Sequence, residues 1–136
     1  MTTIVIDTNL FFGALRTADN YVRDIIERDD LQFIAPNYLV VEIFIHKDTI
    51  LQKSKVQEAT LYELLAITLQ KVRFVNEESI SLGNIIEAYR LCSGIDEKDA
   101  PFVALALEYD ALIWTRDQML KDGLGRKGFT RFFDPT

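Results

Sequence analysis

Short apolar runs that end abruptly are the strongest constraint in this chain. Ile4-Val5-Ile6 stops at Asp7, and Ala111-Leu112-Ile113-Trp114 is followed after two residues by Asp117. Runs apolar at consecutive positions are buried on both faces, as in the central strands of a parallel sheet. Strands are expected at 3–6, 32–35, 73–75, 111–114 and 130–133. Helices are expected at 10–15, 21–28, 38–51, 56–72, 79–91, 100–109 and 117–124, several of them with an apolar stripe at helical spacing. On the helix over 79–91 the expected buried residues are Ile85, Ile86 and Tyr89. Strands alternating with helices predict an α/β sandwich around a mainly parallel sheet. We read all 136 residues as one domain, since no linker, repeat or low-complexity tract interrupts them.

Composition narrows the chemistry. Apolar residues make up 49% and charged residues 26%, a globular balance. With one cysteine and one histidine, no internal disulfide and no ordinary zinc site can form. Acidic residues interrupt every stretch long enough to suggest a membrane span. Met1-Thr2-Thr3 lacks the basic start of a signal peptide, so a cytoplasmic protein is expected. A net charge of -6 argues against a broad basic surface for nucleic acid. The end of the chain is locally basic, with Arg116, Lys121, Arg126, Lys127 and Arg131 against Asp117, Asp122 and Asp134.

Four acids stand at the borders of apolar segments. Asp7 and Asp117 follow strands, Glu42 splits Leu39-Val40-Val41 from Ile43-Phe44-Ile45, and Asp99 opens the apolar helix at 100–109. Each has an ordinary reading as a helix cap or a solvated position. Asp96 competes with Asp99 for the cap before Ala100, so its role, cap or ligand, stays open. A carboxylate beside a core is costly unless a positive group meets it. Four at comparable topological points suggest one shared cation, and oxygen ligands call for Mg²⁺, Mn²⁺ or Ca²⁺. Glu42 and His46 form a polar line at a spacing of four on an otherwise apolar helix. Cys92 reads as a small core residue, and Phe11, Phe12 and Tyr21 read either as core or as a homodimer surface.

These motifs, Ile4-Val5-Ile6-Asp7-Thr8-Asn9, Val40-Val41-Glu42-Ile43, Asp96-Glu97-Lys98-Asp99-Ala100-Pro101-Phe102 and Ile113-Trp114-Thr115-Arg116-Asp117, resemble in order and spacing those of the PIN-domain nucleases. The resemblance covers about residues 4–134. It is nearest to single-domain prokaryotic members, including the VapC-like toxin ribonucleases of toxin–antitoxin pairs. It implies a five-stranded parallel sheet with the acids gathered at one end. Asp7, Asp99 and Asp117 then look like metal-binding aspartates for Mg²⁺ or Mn²⁺, and Glu42 like their acidic catalytic partner. Asn9, Thr115 and Arg116 fall at positions expected to meet substrate, with some of Lys121, Arg126 and Lys127 on RNA phosphates. An RNA substrate and an antitoxin protein are the partners this implies. Residues 47–91 carry no motif of the family. The rival readings are a non-catalytic RNA- or protein-binding module and a phosphoaspartyl phosphatase or receiver domain. The latter is disfavoured by Asn9, where such a phosphatase needs a second acid.

Overall fold

The computed structural model describes residues 1–135. The chain runs β1 (Thr2–Ile6), α1 (Thr8–Gly13), α2 (Tyr21–Ile26), β2 (Leu31–Pro36), α3 (Tyr38–Lys53), α4 (Glu58–Gln70), β3 (Val72–Val75), α5 (Leu82–Cys92), α6 (Ala100–Tyr109), β4 (Leu112–Trp114) and α7 (Gln118–Arg126). The four strands are parallel, in the order β3-β2-β1-β4. β1 is therefore hydrogen-bonded on both sides, with Val5 level with Ile34 on one neighbour and Ile113 on the other.

Strand pleating divides the core in two. Ile4, Ile6, Phe33, Ala35 and Trp114 point to the side covered by α1–α4. Val5, Ile34 and Ile113 point to the side covered by α5, α6 and α7. Successive side chains alternate between faces, so continuous apolar runs need helices on both. The result is the expected three-layer sandwich.

The fifth strand does not form. Segment 130–133 meets β4 only at a parallel bridge between Ile113 and Phe132. Its two ladder bonds run from the Ile113 N–H to the Arg131 carbonyl (3.0 Å) and from the Phe133 N–H to the Ile113 carbonyl (2.8 Å). The Phe132 N–H is spent on the Thr130 carbonyl at 3.0 Å, so the backbone curls where a strand would extend. Phe133 packs edge-on against Trp114, and Phe132 against Phe129.

Two helices face differently from their sequence pattern. On α5 the buried residues are Ala88, Leu91 and Cys92, which pack with α6, while Ile86 and Tyr89 are 61% and 55% exposed. The small Ala88 side chain lets α5 lie close to α6, and the helix is rotated to present it. On α3 only Leu39 and Ile43 are buried, leaving Val41, Phe44 and Ile45 at the surface. Phe11 is fully buried and so belongs to the core, whereas Tyr21 is exposed.

Arg23, whose burial the helical stripe Val22, Ile25, Ile26 did not announce, secures the loop between α1 and α2. Its guanidinium donates to the carbonyls of Ala14 (2.5 Å), Thr17 (3.2 Å) and Ala18. A buried cation with only backbone acceptors depends on all of them. Arg23→Met should cost about 2–3 kcal/mol in urea unfolding, whereas Arg28→Met, whose partner is the exposed Asp30, should leave the midpoint unchanged. Equal stability of both variants would contradict this role for Arg23.

Candidate active site

In the order β3-β2-β1-β4 the chain leaves β1 toward β2 on one side and returns to β4 on the other. The carboxyl ends of β1 and β4 thus flank a point where the winding reverses, the usual crevice of an open α/β sheet. Asp7 is the first residue beyond β1, and Asp117 lies three residues beyond β4. α3 starts just past the carboxyl end of β2 and carries Glu42 in its second turn. α6 packs across β1 and leads into β4, so its first turn, with Asp99 before it, lies at this same edge.

Local hydrogen bonds set three of these carboxylates. One oxygen of Asp7 accepts the Leu10 N–H at 2.8 Å and caps α1. One oxygen of Asp117 accepts the Leu120 N–H at 3.1 Å and caps α7. Glu42 accepts the Thr8 hydroxyl at 2.6 Å, tying α3 to α1. The Thr115 hydroxyl accepts the Asp117 N–H at 3.1 Å and lies within hydrogen-bonding reach of the Asp7 carboxylate. Thr115 is buried. Its hydroxyl faces the two aspartates.

Asp99 differs from the others. Asp96 is the cap here: its carboxylate accepts the Lys98 N–H at 3.0 Å. Asp99 makes no capping bond, although α6 begins at the next residue. Of the two candidates for the cap before Ala100, Asp96 makes the capping bond and Asp99 does not. Gly123 brings α7 against the same loop, where an added Cβ would come within 2.6 Å of Ile95 Cδ1.

The electrostatics follow from this gathering. Burial pushes the Asp99 carboxyl up to about 7, and the charges of Asp96, Asp7, Asp117 and Glu42 push in the same direction. Burial also raises Asp7, opposed by its bonds to Thr115 and Leu10 and reinforced by Asp117 and Glu42. Asp7 feels the charges of Asp117 and Glu42, whereas Asp99 feels those of all its neighbours. Nearby Cys92 is fully buried and its thiol is pushed up to about 12, so it stays an inert core residue.

Of the four acids, Glu42 lines a groove of about 430 Å³ between α1 and α3, together with Thr8, Asn9 and Arg116. Asn9 and Arg116 are exposed at its mouth. Two of the basic residues near the C-terminus are committed elsewhere. Lys127 Nζ donates to the Arg90 and Ser93 carbonyls at the end of α5, and Arg131 pairs with Asp110.

A family model described as a PIN domain matches residues 5–131. The chain belongs to the PIN-domain family. Domains of this family are in general nucleases that use divalent metals. Curated proteins gave no match. In this PIN domain, among the described residues, no three carboxylate, histidine or cysteine side chains stand close enough together to grip an ion as placed. The donor chemistry does fit a hard divalent cation: the available groups are carboxylate oxygens, and their mutual repulsion is relieved by positive charge. The sequence reading missed Phe12, Arg16, Thr49 and Lys53 on the wall of the groove. Part of this was visible, since Thr49 and Lys53 continue the line of Glu42 and His46 at helical spacing.

A raised carboxyl pKa has a definite consequence for stability. Between the unfolded value near 3.8 and about 7, the folded chain binds more protons at Asp99 than the unfolded one. Stability of the metal-free protein therefore falls as pH rises through that window. Asp99→Asn should remove the effect and raise the melting temperature at pH 8 by roughly 3–5 °C. That corresponds to about 1 kcal/mol once solvent screening of a partly exposed group is allowed for. At pH 4 the two proteins should melt together. Thermal melts across this range check it, and a wild type more stable at pH 8 than Asp99→Asn would contradict it.

Proposed function

We propose that this PIN domain is a divalent-metal-dependent endoribonuclease with Asp7, Glu42, Asp99 and Asp117 as its catalytic carboxylates. The observation that carries the reading is Asp99, which makes no cap and is pushed toward neutrality first by its burial and then by the acids around it. A carboxylate so placed is unfavourable until a cation is shared. Asp7, Asp99 and Asp117 would hold Mg²⁺ or Mn²⁺. When bound, such an ion acidifies water and offsets the charge that develops on a phosphodiester in hydrolysis.

The chain's own groups supply position and proton handling. Glu42 has one oxygen on Thr8 and a second to orient water or accept its proton. Thr115 keeps Asp7 and Asp117 in register. Asn9 and Arg116, exposed at the mouth, would meet the ribose and phosphate of the RNA. The finer reading makes the protein a cytoplasmic, VapC-like toxin of a toxin–antitoxin pair, supported by the likeness of its motifs to single-domain prokaryotic members. An antitoxin segment would silence it by setting a basic side chain among the carboxylates. A homodimer would use the exposed Val41, Phe44 and Ile45 of α3. The looseness of the carboxylates as placed favours, as second reading, a non-catalytic RNA- or protein-binding module.

Purified protein should cut single-stranded or structured RNA with Mn²⁺ or Mg²⁺ and stop in chelator. Asp7→Asn and Asp99→Asn should each lower the rate by about 10²–10³-fold while the fold is kept. Undiminished cleavage by Asp99→Asn would overturn the assignment. Metal-dependent stabilisation without cleavage of any RNA would select the binding module.

A further inference from the structure

Two segments far apart in sequence bring three cations to one corner of the molecule. Arg16 lies in the loop after α1, Lys53 in the last turn of α3, and Lys55 just beyond it. The corner is knitted by the Lys55 N–H donating to the Arg16 carbonyl at 2.8 Å and the Ser54 hydroxyl to the Leu15 carbonyl at 3.4 Å. Arg23 fixes the same loop from the inside. Arg16, Lys53 and Lys55 are exposed, and the ion pairs among the described residues involve none of them.

The groove beside the carboxylates leads to this corner. Beginning at Thr8, Asn9 and Glu42, it passes Phe12 and His46 and reaches Arg16 and Lys53. A second hollow, of about 540 Å³, shares Gly13, Arg16, Lys53 and Arg116 with the first and extends it to Lys55. Phe12 and His46 stand edge to face with ring centroids 6.1 Å apart, and His46 is exposed. On a chain of net charge -6, four cations outnumber the two acids, Glu42 and Asp19, that line this path. Arg116, Arg16, Lys53 and Lys55 border it along its length.

Taking the RNA substrate from the reading above, we propose that this continuous groove is the track for a single-stranded RNA flanking the scissile bond. Its phosphates lie on Arg116, Arg16, Lys53 and Lys55, and a base lies against the Phe12–His46 pair. Spaced cations suit a polymer with one negative charge per residue, and an aromatic wall accepts any base by stacking. The path starts at Glu42 and at Thr8, the residue after Asp7, so a strand held in it leads its phosphodiester to the acidic end of the groove. Besides Arg116, which the sequence suggested, the basic track lies on the loop after α1 and on the end of α3.

The test uses the full chain with Asp99→Asn, so that RNA stays uncut, and a short labelled oligouridylate followed by anisotropy at rising KCl with Mg²⁺ present. Adding Arg16→Glu and Lys53→Glu should weaken binding at least tenfold and make the salt dependence shallower by roughly 1.4 in log–log slope, two contacts at about 0.7 each. His46→Ala should weaken binding roughly five- to tenfold without changing the slope. The matched control, Arg28→Glu with Lys71→Glu, reverses two cations at the amino-terminal edge of the sheet and should stay within about twofold. Equal losses in the two charge-reversal pairs would overturn the track, as would binding of polyglutamate in place of RNA, or no RNA binding at all. Arg16→Gln with Lys53→Gln, giving a smaller loss in the same direction, guards against a folding defect. If wild type cuts RNA yet the groove variants bind normally, the track falls and the nuclease reading stands. If the groove variants lose binding but wild type cuts nothing with Mn²⁺, the nuclease reading falls and the track stands.

Discussion

β1 is enclosed on every side: β2 and β4 take its backbone bonds, and helices cover both its faces. A strand so enclosed can place polar groups only at its ends, because an unpaired charge along its length would cost several kcal/mol. Asp7 sits at the carboxyl end for this reason. It is tolerated there because Leu10 and Thr115 supply hydrogen bonds and because the chain turns away from the sheet at that point. The reversal of winding between β1 and β4 then opens the crevice into which Asp117, Asp99 and Glu42 are brought. Each depends on its own device: a cap on α7, a turn capped by Asp96, and a hydroxyl from Thr8.

The devices hold three carboxylates by giving them local partners, and they leave Asp99 without one. That asymmetry sets the electrostatic character of the site. Hydrogen bonds to Asp7 counter its burial, while Asp99 carries the full effect of burial and of its acidic neighbours. A fold that stores this repulsion is less stable at neutral pH than it would be with an amide at position 99. The arrangement becomes reasonable when a cation is present to relieve it, which links the strain in the metal-free chain to the proposed chemistry.

Much of this was legible in the sequence because it rests on local patterns. The consecutive apolar residues of β1 and β4 marked both strands, and β1 has the central place expected of it, while β4 lies at the edge of the four-stranded sheet; α6 falls on the bounds that its apolar run suggested. The acids were visible as breaks in those runs. What remained hidden depends on tertiary choices. The fifth strand is reduced to one bridge because the chain turns locally at Thr130–Phe132, which no pattern in Thr130-Arg131-Phe132-Phe133 reveals. Ile86 and Tyr89 lost their expected burial because α5 turns Ala88 toward α6. Asp96 and Asp99 are equivalent as caps on paper, and only backbone geometry separates them. The basic corner was hidden because Arg16 lies far in sequence from Lys53 and Lys55.

The central claim is that the four carboxylates form one cation site in which Asp99 is the uncommitted ligand. Mn²⁺ binding to the whole protein, followed by the loss of the free-ion electron paramagnetic resonance signal at pH 8, tests it most directly. The account predicts saturable binding by the wild type that Asp99→Asn weakens at least tenfold, with a smaller change for Asp96→Asn, whose carboxylate is engaged in the turn. Equal affinity of wild type and Asp99→Asn, or a larger loss at Asp96, would contradict it.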